Sequence, residues 1–338
     1  MRISLCIRQA GGEAIRRWIL LALAIFAIGS LLLLLVGVNP IEGWKALLTR
    51  SIGNTYGLSR VAERTALFSI TALAFLLPFK AGIWNIGAEG QVMIGALAAY
   101  SIARLVGPSV GPMMLPIMAV AALLGGAIWA LIPGLIRLRM EGKEILTTLM
   151  LNYVAIHVVR HFANVVWKDQ GYAFPVTKLL PKSAVFPSLP RSEIHAGIAM
   201  AVVAIIGVAL LLRYLAIGFD LRTHGGSVRS ARFAGVSIPS VILFALLVGG
   251  AIAGLAGLQE LSGGTPRLTD GIGAGLGYIG IPVALLANAD PKKVPLSALF
   301  FAILVVGSAG LQKLGIPSGF HEVMLGAVIL TRLAFVRS

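Results

Sequence analysis

Long apolar stretches alternate with short polar segments along the whole chain, and ten such stretches can be distinguished. A helix that crosses the hydrocarbon core of a bilayer needs about 20 mainly apolar residues. The pattern therefore predicts an all-α, polytopic membrane protein with about ten transmembrane helices. The stretches cover residues 18–38, 65–79, 83–104, 112–136, 145–166, 194–213, 239–259, 277–289, 295–311 and 321–336.

Glycine-rich segments interrupt two of these stretches, namely AGIWNIGAEG at 81–90 and GIGAGLGYIGIP at 271–282. They lie five predicted spans apart, so the corresponding helices run in opposite directions. This is typical of an inverted repeat whose broken helices line a pathway near the membrane midplane. Close helix packing also enriches glycine in membranes, and both interpretations are open. Because the stretches 65–79 and 277–289 are short and flanked by glycine or proline, we expect broken or re-entrant helices there.

The composition excludes a soluble protein. The 338 residues are 58% hydrophobic and 12% charged, whereas a soluble domain is about 45–50% apolar and about 25% charged. The net charge is +15, from 28 Lys and Arg against 13 Asp and Glu. In so apolar a chain we interpret the basic residues as loop charges that set orientation and contact membrane lipid, not nucleic acid. The one cysteine, Cys6, excludes an internal disulfide and a cysteine-based metal cluster.

Basic residues also predict the orientation of the chain. Residues 1–17 form a basic segment before the apolar run 18–38, which is longer than the apolar region of about 7–15 residues in a cleaved signal peptide. We therefore predict a cytoplasmic N-terminus at 1–17, a membrane domain at 18–338, and a cytoplasmic C-terminus. Three long loops result, a cytoplasmic loop at about 214–238 and outer loops at about 39–64 and 167–193.

Several polar side chains fall inside apolar stretches, where a charge costs about 2.5–3.5 kcal/mol on insertion scales. Two interpretations of Asn85, Glu89 and Gln91 are open, because they can cap a broken helix or can line a pathway and contact substrate. The amide of Asn152 can likewise bond a ligand or a neighbouring helix. Aromatic neighbours complete the candidate substrate pathway, which comprises Trp84, Asn85, Glu89, Gln91, Asn152 and Tyr153.

No catalytic motif accompanies these residues. The chain has no phosphate-binding loop of the form G-x-x-x-x-G-K-S/T, so we predict that it cannot hydrolyse ATP by itself. His157 and His161 have the spacing of a metal pair but no third ligand in an obvious motif. We therefore predict neither enzyme activity, nor a cofactor, nor a metal site.

The segment AGIWNIGAEGQVMIGALAA at 81–99 resembles the hallmark of ABC-importer permeases of the branched-chain amino acid and simple-sugar superfamily. The segments EILTTLMLNY at 144–153 and GIPVALL at 280–286 are similar to two motifs of its nucleoside-type and simple-sugar branch. The likeness extends from about residue 40 to residue 335. It implies a permease subunit that imports a nucleoside or a related sugar-containing solute by ATP-driven alternating access.

The resemblance also implies partners and a location. The partners are an ABC ATPase subunit, a second homologous permease subunit or a second copy of this chain, and an extracytoplasmic substrate-binding protein. The location is the bacterial cytoplasmic (inner) membrane. Departures from the family pattern at Lys143, Ser227 and Pro282 leave riboflavin or a simple sugar open as the substrate. From a different class, an ion-coupled secondary transporter is the alternative, and Glu89 is its strongest candidate for a titrating carboxylate.

The segment GFDLRTHGGSVRSARFAG at 218–235 resembles the part of these permeases that contains the coupling helix, which docks on the ATPase. We expect a short helix between glycines, with alanines for close approach and with arginine and phenylalanine anchors. The alternative is a basic loop that only sets the topology. The candidate coupling residues are Arg222, Gly225, Arg229, Ala231, Arg232, Phe233, Ala234 and Gly235.

Overall fold

The structure, a computed structural model, describes residues 23–140, 144–172, 176–190, 194–317 and 319–336. Its elements are helices, which confirms the predicted all-α class, and the described residues contain isolated β-bridges but no strand. The chain forms two compact units, one from Ala62 to Phe300 and one that combines residues up to Val61 with residues from Phe301 onward. The helices are α1 (Leu23–Leu35), α2 (Pro40–Ser51), α3 (Thr55–Lys80), α4 (Ala88–Val106), α5 (Met114–Arg139), α6 (Glu144–His161), α7 (Gly197–Tyr214), α8 (Ala216–Gly226), α9 (Val228–Phe233), α10 (Ile238–Gln259), α11 (Leu276–Leu286), α12 (Val294–Leu311) and α13 (Phe320–Val336).

The number of helices that can span a membrane is lower than predicted. Among the described residues, six helices are long and apolar enough, or up to seven if the bent pair of α1 and α2 forms one span, against the predicted ten. α11 has only 11 residues, as expected for a broken helix. α4 has 19 residues but carries Glu89, Gln91 and Arg104, which lower its hydropathy. The predicted spans therefore include segments that are helical but too short or too polar to count as full spans.

Two predictions near the start of the chain need correction. The stretch 65–79 lies in α3, a continuous helix of 26 residues that begins at Thr55, so it is not a broken helix. The stretch 39–64, predicted as an outer loop, contains α2 and the first turns of α3. The side-chain oxygen of Asn39 accepts a hydrogen bond from the Ile41 amide at 2.9 Å and caps α2. Because α2 and the first turns of α3 contain several polar residues, the pattern of apolar stretches does not predict a helix there.

The described part of the predicted outer loop 167–193 is irregular, and it packs against the chain that follows α10. The Leu180 amide donates to the Pro266 carbonyl at 2.9 Å, and the Phe186 amide donates to the Ser262 carbonyl at 3.0 Å. Thr177 makes two bonds to one residue, because its hydroxyl accepts from the Leu268 amide at 2.9 Å and donates to the Leu268 carbonyl at 3.1 Å. The loop thus provides hydrogen-bond partners for an irregular part of the Ala62–Phe300 unit.

Helices α4, α5 and α10 form the closely packed centre of the same unit. A Cβ atom at Gly95 of α4 would collide with the backbone of Gly254 on α10. A Cβ atom at Gly126 of α5 would collide with the Gly250 carbonyl of α10. Membrane helices approach this closely where small residues face one another. These contacts hold α4 in place and so position its first turn.

Candidate functional site: a junction of broken helices

The first turns of α4 and α11 meet inside the Ala62–Phe300 unit. The chain leaves α3 at Lys80, runs without helix through residues 83–85, and enters α4 at Ala88. A Cβ atom at Gly280 of α11 would collide with the backbone of Thr71, which lies nine residues before the end of α3. At a rise of 1.5 Å per residue, this contact is about 13 Å along the axis of α3 from its end. The junction therefore lies within the span of α3 and not at its end.

Glu89, in the first turn of α4, caps the N-terminus of α11. Its Oε1 accepts a hydrogen bond from the Gly275 amide at 3.0 Å, and its Oε2 accepts one from the Gly277 amide at 2.8 Å. The Glu89 residue is 3% exposed. Gly275 has φ +83°, a left-handed conformation that suits glycine at the start of α11. The positive ends of two helix dipoles thus lie at one carboxylate, which stabilises its charge.

Asn85 and Gln91 form a reciprocal pair of amide hydrogen bonds. The Asn85 Nδ2 donates to Gln91 Oε1 at 2.9 Å, and the Gln91 Nε2 donates to Asn85 Oδ1 at 3.0 Å. Both residues are buried. The pair closes the irregular connection onto the first turn of α4, so the geometry places these two side chains in a structural contact.

Asn152 of α6 joins both broken segments. Its Oδ1 accepts from the Gly90 amide at 2.9 Å, and its Nδ2 donates to the Ile86 carbonyl at 2.9 Å and to the Tyr278 hydroxyl at 3.0 Å. The sequence left open whether Asn152 bonds a ligand or a neighbouring helix, and in the structure its amide bonds to neighbouring segments of the protein. Tyr278 was missed in the sequence analysis, although it is the one tyrosine in the glycine-rich segment 271–282.

Three aromatic side chains at the junction are partly exposed. Trp84 is 39% exposed and packs edge-on against Phe79, with ring centroids 5.4 Å apart. Tyr153, which follows Asn152 on α6, is 54% exposed, and Tyr278 is 37% exposed. The candidate residues therefore fall into two groups. The polar side chains are buried and bond to protein, whereas the aromatic side chains are partly exposed at the surface of the protomer.

A second polar cluster lies at the C-terminal end of α10. The Arg64 Nη1 lies 3.0 Å from the Glu260 Oε2, and the Arg64 Nε lies 3.2 Å from the Glu63 Oε2. Glu63 is 1% exposed. This cluster holds the start of α3 to the end of α10, and both carboxylates are in ion pairs with the arginine.

The candidate coupling residues lie on and beside α8 and α9. Ser227 caps α9 because its hydroxyl accepts from the Ser230 amide at 3.2 Å. Ala231 is fully buried within the chain, whereas we expected it to offer close approach to a partner. Phe233 is 83% exposed, and the guanidinium of Arg229 lies 5.9 Å from the centre of its ring.

The remaining coupling candidates are mostly exposed. Arg222 of α8, Arg232 of α9 and Ala234 all face outward. Gly235 ends the helix pair with φ +76°. Gly225 is also exposed, but one side of its backbone lies against the Lys80 carbonyl, with which a Cβ atom would collide. The outward surface of this helix pair therefore combines exposed apolar side chains, among them Phe219, Val228 and Phe233, with several arginines.

Comparison with known proteins identifies the family. Residues 57–333 match the family described as branched-chain amino acid transport system, permease component. A glucose ABC transporter permease protein of Haloferax volcanii is 34% identical over 92% of this chain and 85% of its own length. A guanosine ABC transporter permease protein of Bacillus subtilis is 29% identical over 90% of this chain and 88% of its own length.

A nucleoside ABC transporter permease protein of Lactococcus lactis is 26% identical over 90% of this chain and 86% of its own length. The matched region 57–333 contains the whole junction of α4, α6 and α11 as well as the pair of α8 and α9. The chain therefore belongs to the branched-chain amino acid transport system permease family and is a permease subunit of an ABC transporter.

Proposed function

We propose that this permease subunit imports a nucleoside or a closely related sugar-containing solute. The observation that carries the proposal is the exposure of Trp84, Tyr153 and Tyr278 beside a junction whose polar groups already bond to protein. Stacking of an aromatic ring on a nucleobase contributes about 1–3 kcal/mol. The guanosine and nucleoside permeases among the relatives support the same class of solute.

The pathway would be enclosed by a second subunit. The aromatic side chains are exposed on a single protomer, and a solute crossing the membrane needs a wall on every side. We propose that a homologous permease, or a second copy of this chain, covers that surface. Alternating access would then change the distance between the two subunits near the junction.

The outward surface of α8 and α9 would dock on an ABC ATPase in the cytoplasm. Phe233 supplies an apolar anchor and Arg229 a cation beside it. A substrate-binding protein would deliver the solute at the opposite end of α10, outside the bacterial cytoplasmic membrane. ATP-driven closure of the ATPase would move the helix pair, and the chain itself would hydrolyse no ATP.

Uptake of labelled solutes tests the substrate class. Cells that carry the gene and cells that lack it are compared for uptake of radiolabelled guanosine, uridine and glucose. We expect loss of the gene to abolish uptake of at least one nucleoside and to leave glucose uptake unchanged. The glucose permease among the relatives makes glucose the second candidate. Loss of glucose uptake alone would refute the nucleoside proposal in favour of the sugar.

Substitution of Phe233 tests the docking surface. We expect Phe233→Glu to prevent co-purification of the ATPase and to abolish uptake, because a charge replaces an apolar anchor at the centre of the interface. The matched control for co-purification of the ATPase is Leu179→Glu, which changes a residue that is 57% exposed in the loop at the opposite end of α10. Normal ATPase binding by Phe233→Glu would show that the helix pair is not the docking surface.

A further inference from the structure

Helix α8 is attached to the chain segment that leads into the junction. The Nδ1 of His224 donates a hydrogen bond of 2.7 Å to the Ala81 carbonyl, and His224 is 6% exposed. The next residue, Gly225, lies so close to the Lys80 carbonyl that a Cβ atom would collide with it. Gly82, with φ +72°, faces the Gly225 backbone from the other side of the contact. The end of α8 is thus hydrogen-bonded to, and packed against, the turn that follows α3.

The segment from this turn to the junction is short and held at both ends. The Ile83 amide donates to the Pro78 carbonyl at 3.0 Å, which ties the turn to the end of α3. At the other end, the Ile86 carbonyl accepts from Asn152, and the side chain of Asn85 pairs with Gln91. A displacement of the turn therefore reaches the first turn of α4 through few residues, most of which are held by a hydrogen bond.

We infer that His224 and Gly225 are positioning residues that transmit movement of α8 and α9 to the junction of α4, α6 and α11. The inference rests on the proposed docking of an ATPase at α9 and goes beyond it, because it names the route inward. When α8 shifts, its contact with Ala81 displaces the turn after α3, and this displaces the first helical turn of α4. Glu89 lies in the first helical turn of α4 and is bonded to the start of α11, so the N-terminus of α11 moves as well.

Two pairs of matched variants separate transmission from folding. His224→Leu removes the donor, whereas His224→Asn keeps an N–H donor near the position of Nδ1. Gly225→Ala adds a methyl group against the Lys80 carbonyl, whereas Gly226→Ala adds the same group where no atom lies within 4 Å. His224 is buried, whereas Gly225 and Gly226 are exposed on α8, so co-purification of the ATPase is measured for each variant to show that docking is retained.

The readout is the accessibility of the junction, which requires no knowledge of the solute. Cys6→Ser removes the one natural cysteine, and Tyr153→Cys then reports on the exposed side of α6. The complex of the permease with its ATPase is reconstituted in lipid, and the rate of maleimide labelling is compared without nucleotide and with ATP plus vanadate. Co-purification of the ATPase and the rate of ATP hydrolysis are measured on the same samples.

We expect nucleotide to change the labelling rate in the parent, in His224→Asn and in Gly226→Ala. In His224→Leu we expect that change to shrink about fivefold, the effect of losing about one hydrogen bond, while the ATPase stays bound. In Gly225→Ala we expect a similar reduction, because the added methyl group would push α8 away from the Lys80 carbonyl. An undiminished change in His224→Leu and Gly225→Ala would overturn the inference, as would a parent complex in which nucleotide changes nothing. Absence of any bound ATPase in the parent would refute the proposed function instead.

Discussion

Replacement of Glu89 tests the junction most directly, because both oxygens of its carboxylate accept hydrogen bonds from the start of α11. A hydrogen bond to a charged group contributes about 1.5–3 kcal/mol, and a neutral one contributes about 0.5–1.5 kcal/mol. In Glu89→Gln, one oxygen remains as an acceptor, but the new NH2 group faces a backbone N–H donor. We expect a loss of about 2–3 kcal/mol for Glu89→Gln and about 4 kcal/mol or more for Glu89→Leu.

The assay is thermal unfolding of the purified permease in detergent. A loss of 1 kcal/mol lowers the midpoint by about 2–4 °C in a domain of 150–250 residues, so Glu89→Gln should lower it by roughly 4–12 °C. The control is Glu42→Gln, which changes an exposed carboxylate on α2 and should leave the midpoint unchanged. If Glu89→Gln and Glu89→Leu both unfold at the temperature of the parent, the carboxylate does not hold the two helices together.

Uptake by the same variants separates the cap from a titrating carboxylate. A capping group acts through hydrogen bonds, so loss of uptake should follow loss of stability in the order Gln, then Leu. An ion-coupled transporter needs a group that exchanges a proton or a cation, and Gln cannot do so. A stable Glu89→Gln protein that binds its ATPase but transports nothing would therefore favour ion coupling.

Two further substitutions test the packing and the backbone around the junction. Gly277→Ala places a methyl group against the backbone of Glu89 and should destabilise the permease by about 1–3 kcal/mol, whereas Gly271→Ala meets no atom within 4 Å and should be neutral in the same unfolding assay. Thr177→Val removes both hydrogen bonds to Leu268 and should cost about 2 kcal/mol. The exposed Thr265→Val is its control, and equal midpoints for the two threonine variants would show that the loop does not support the segment after α10.

The polar residues of the junction could be found from the sequence, but their partners could not. Asn85, Glu89 and Gln91 stand out because they interrupt an apolar stretch. The amides that bond to Glu89 are 186 and 188 residues away along the chain, and no local pattern links them. Only the fold shows that one carboxylate caps a helix that belongs to another segment.

The errors of the sequence analysis have equally physical causes. α2 has an apolar face that includes the buried Leu47, but Glu42, Lys45 and Arg50 keep its hydropathy low, and it was therefore taken for a loop. α9 has only six residues, too few for a periodic pattern to show which side is buried. Ala231 was consequently assigned to the docking surface, whereas it packs within the chain.

The irregular backbone between α10 and α11 depends on partners from outside it. Peptide groups inside a membrane must be satisfied by protein, because the hydrocarbon offers no hydrogen bonds. α11 has 11 residues and so is about 16 Å long, roughly half of a span. The irregular segment before it, around Leu268, bonds to Thr177, and the amides at its end bond to Glu89. A loop on one side and a carboxylate on the other thus allow a helix to begin inside the protein, where its N-terminus can move with α4.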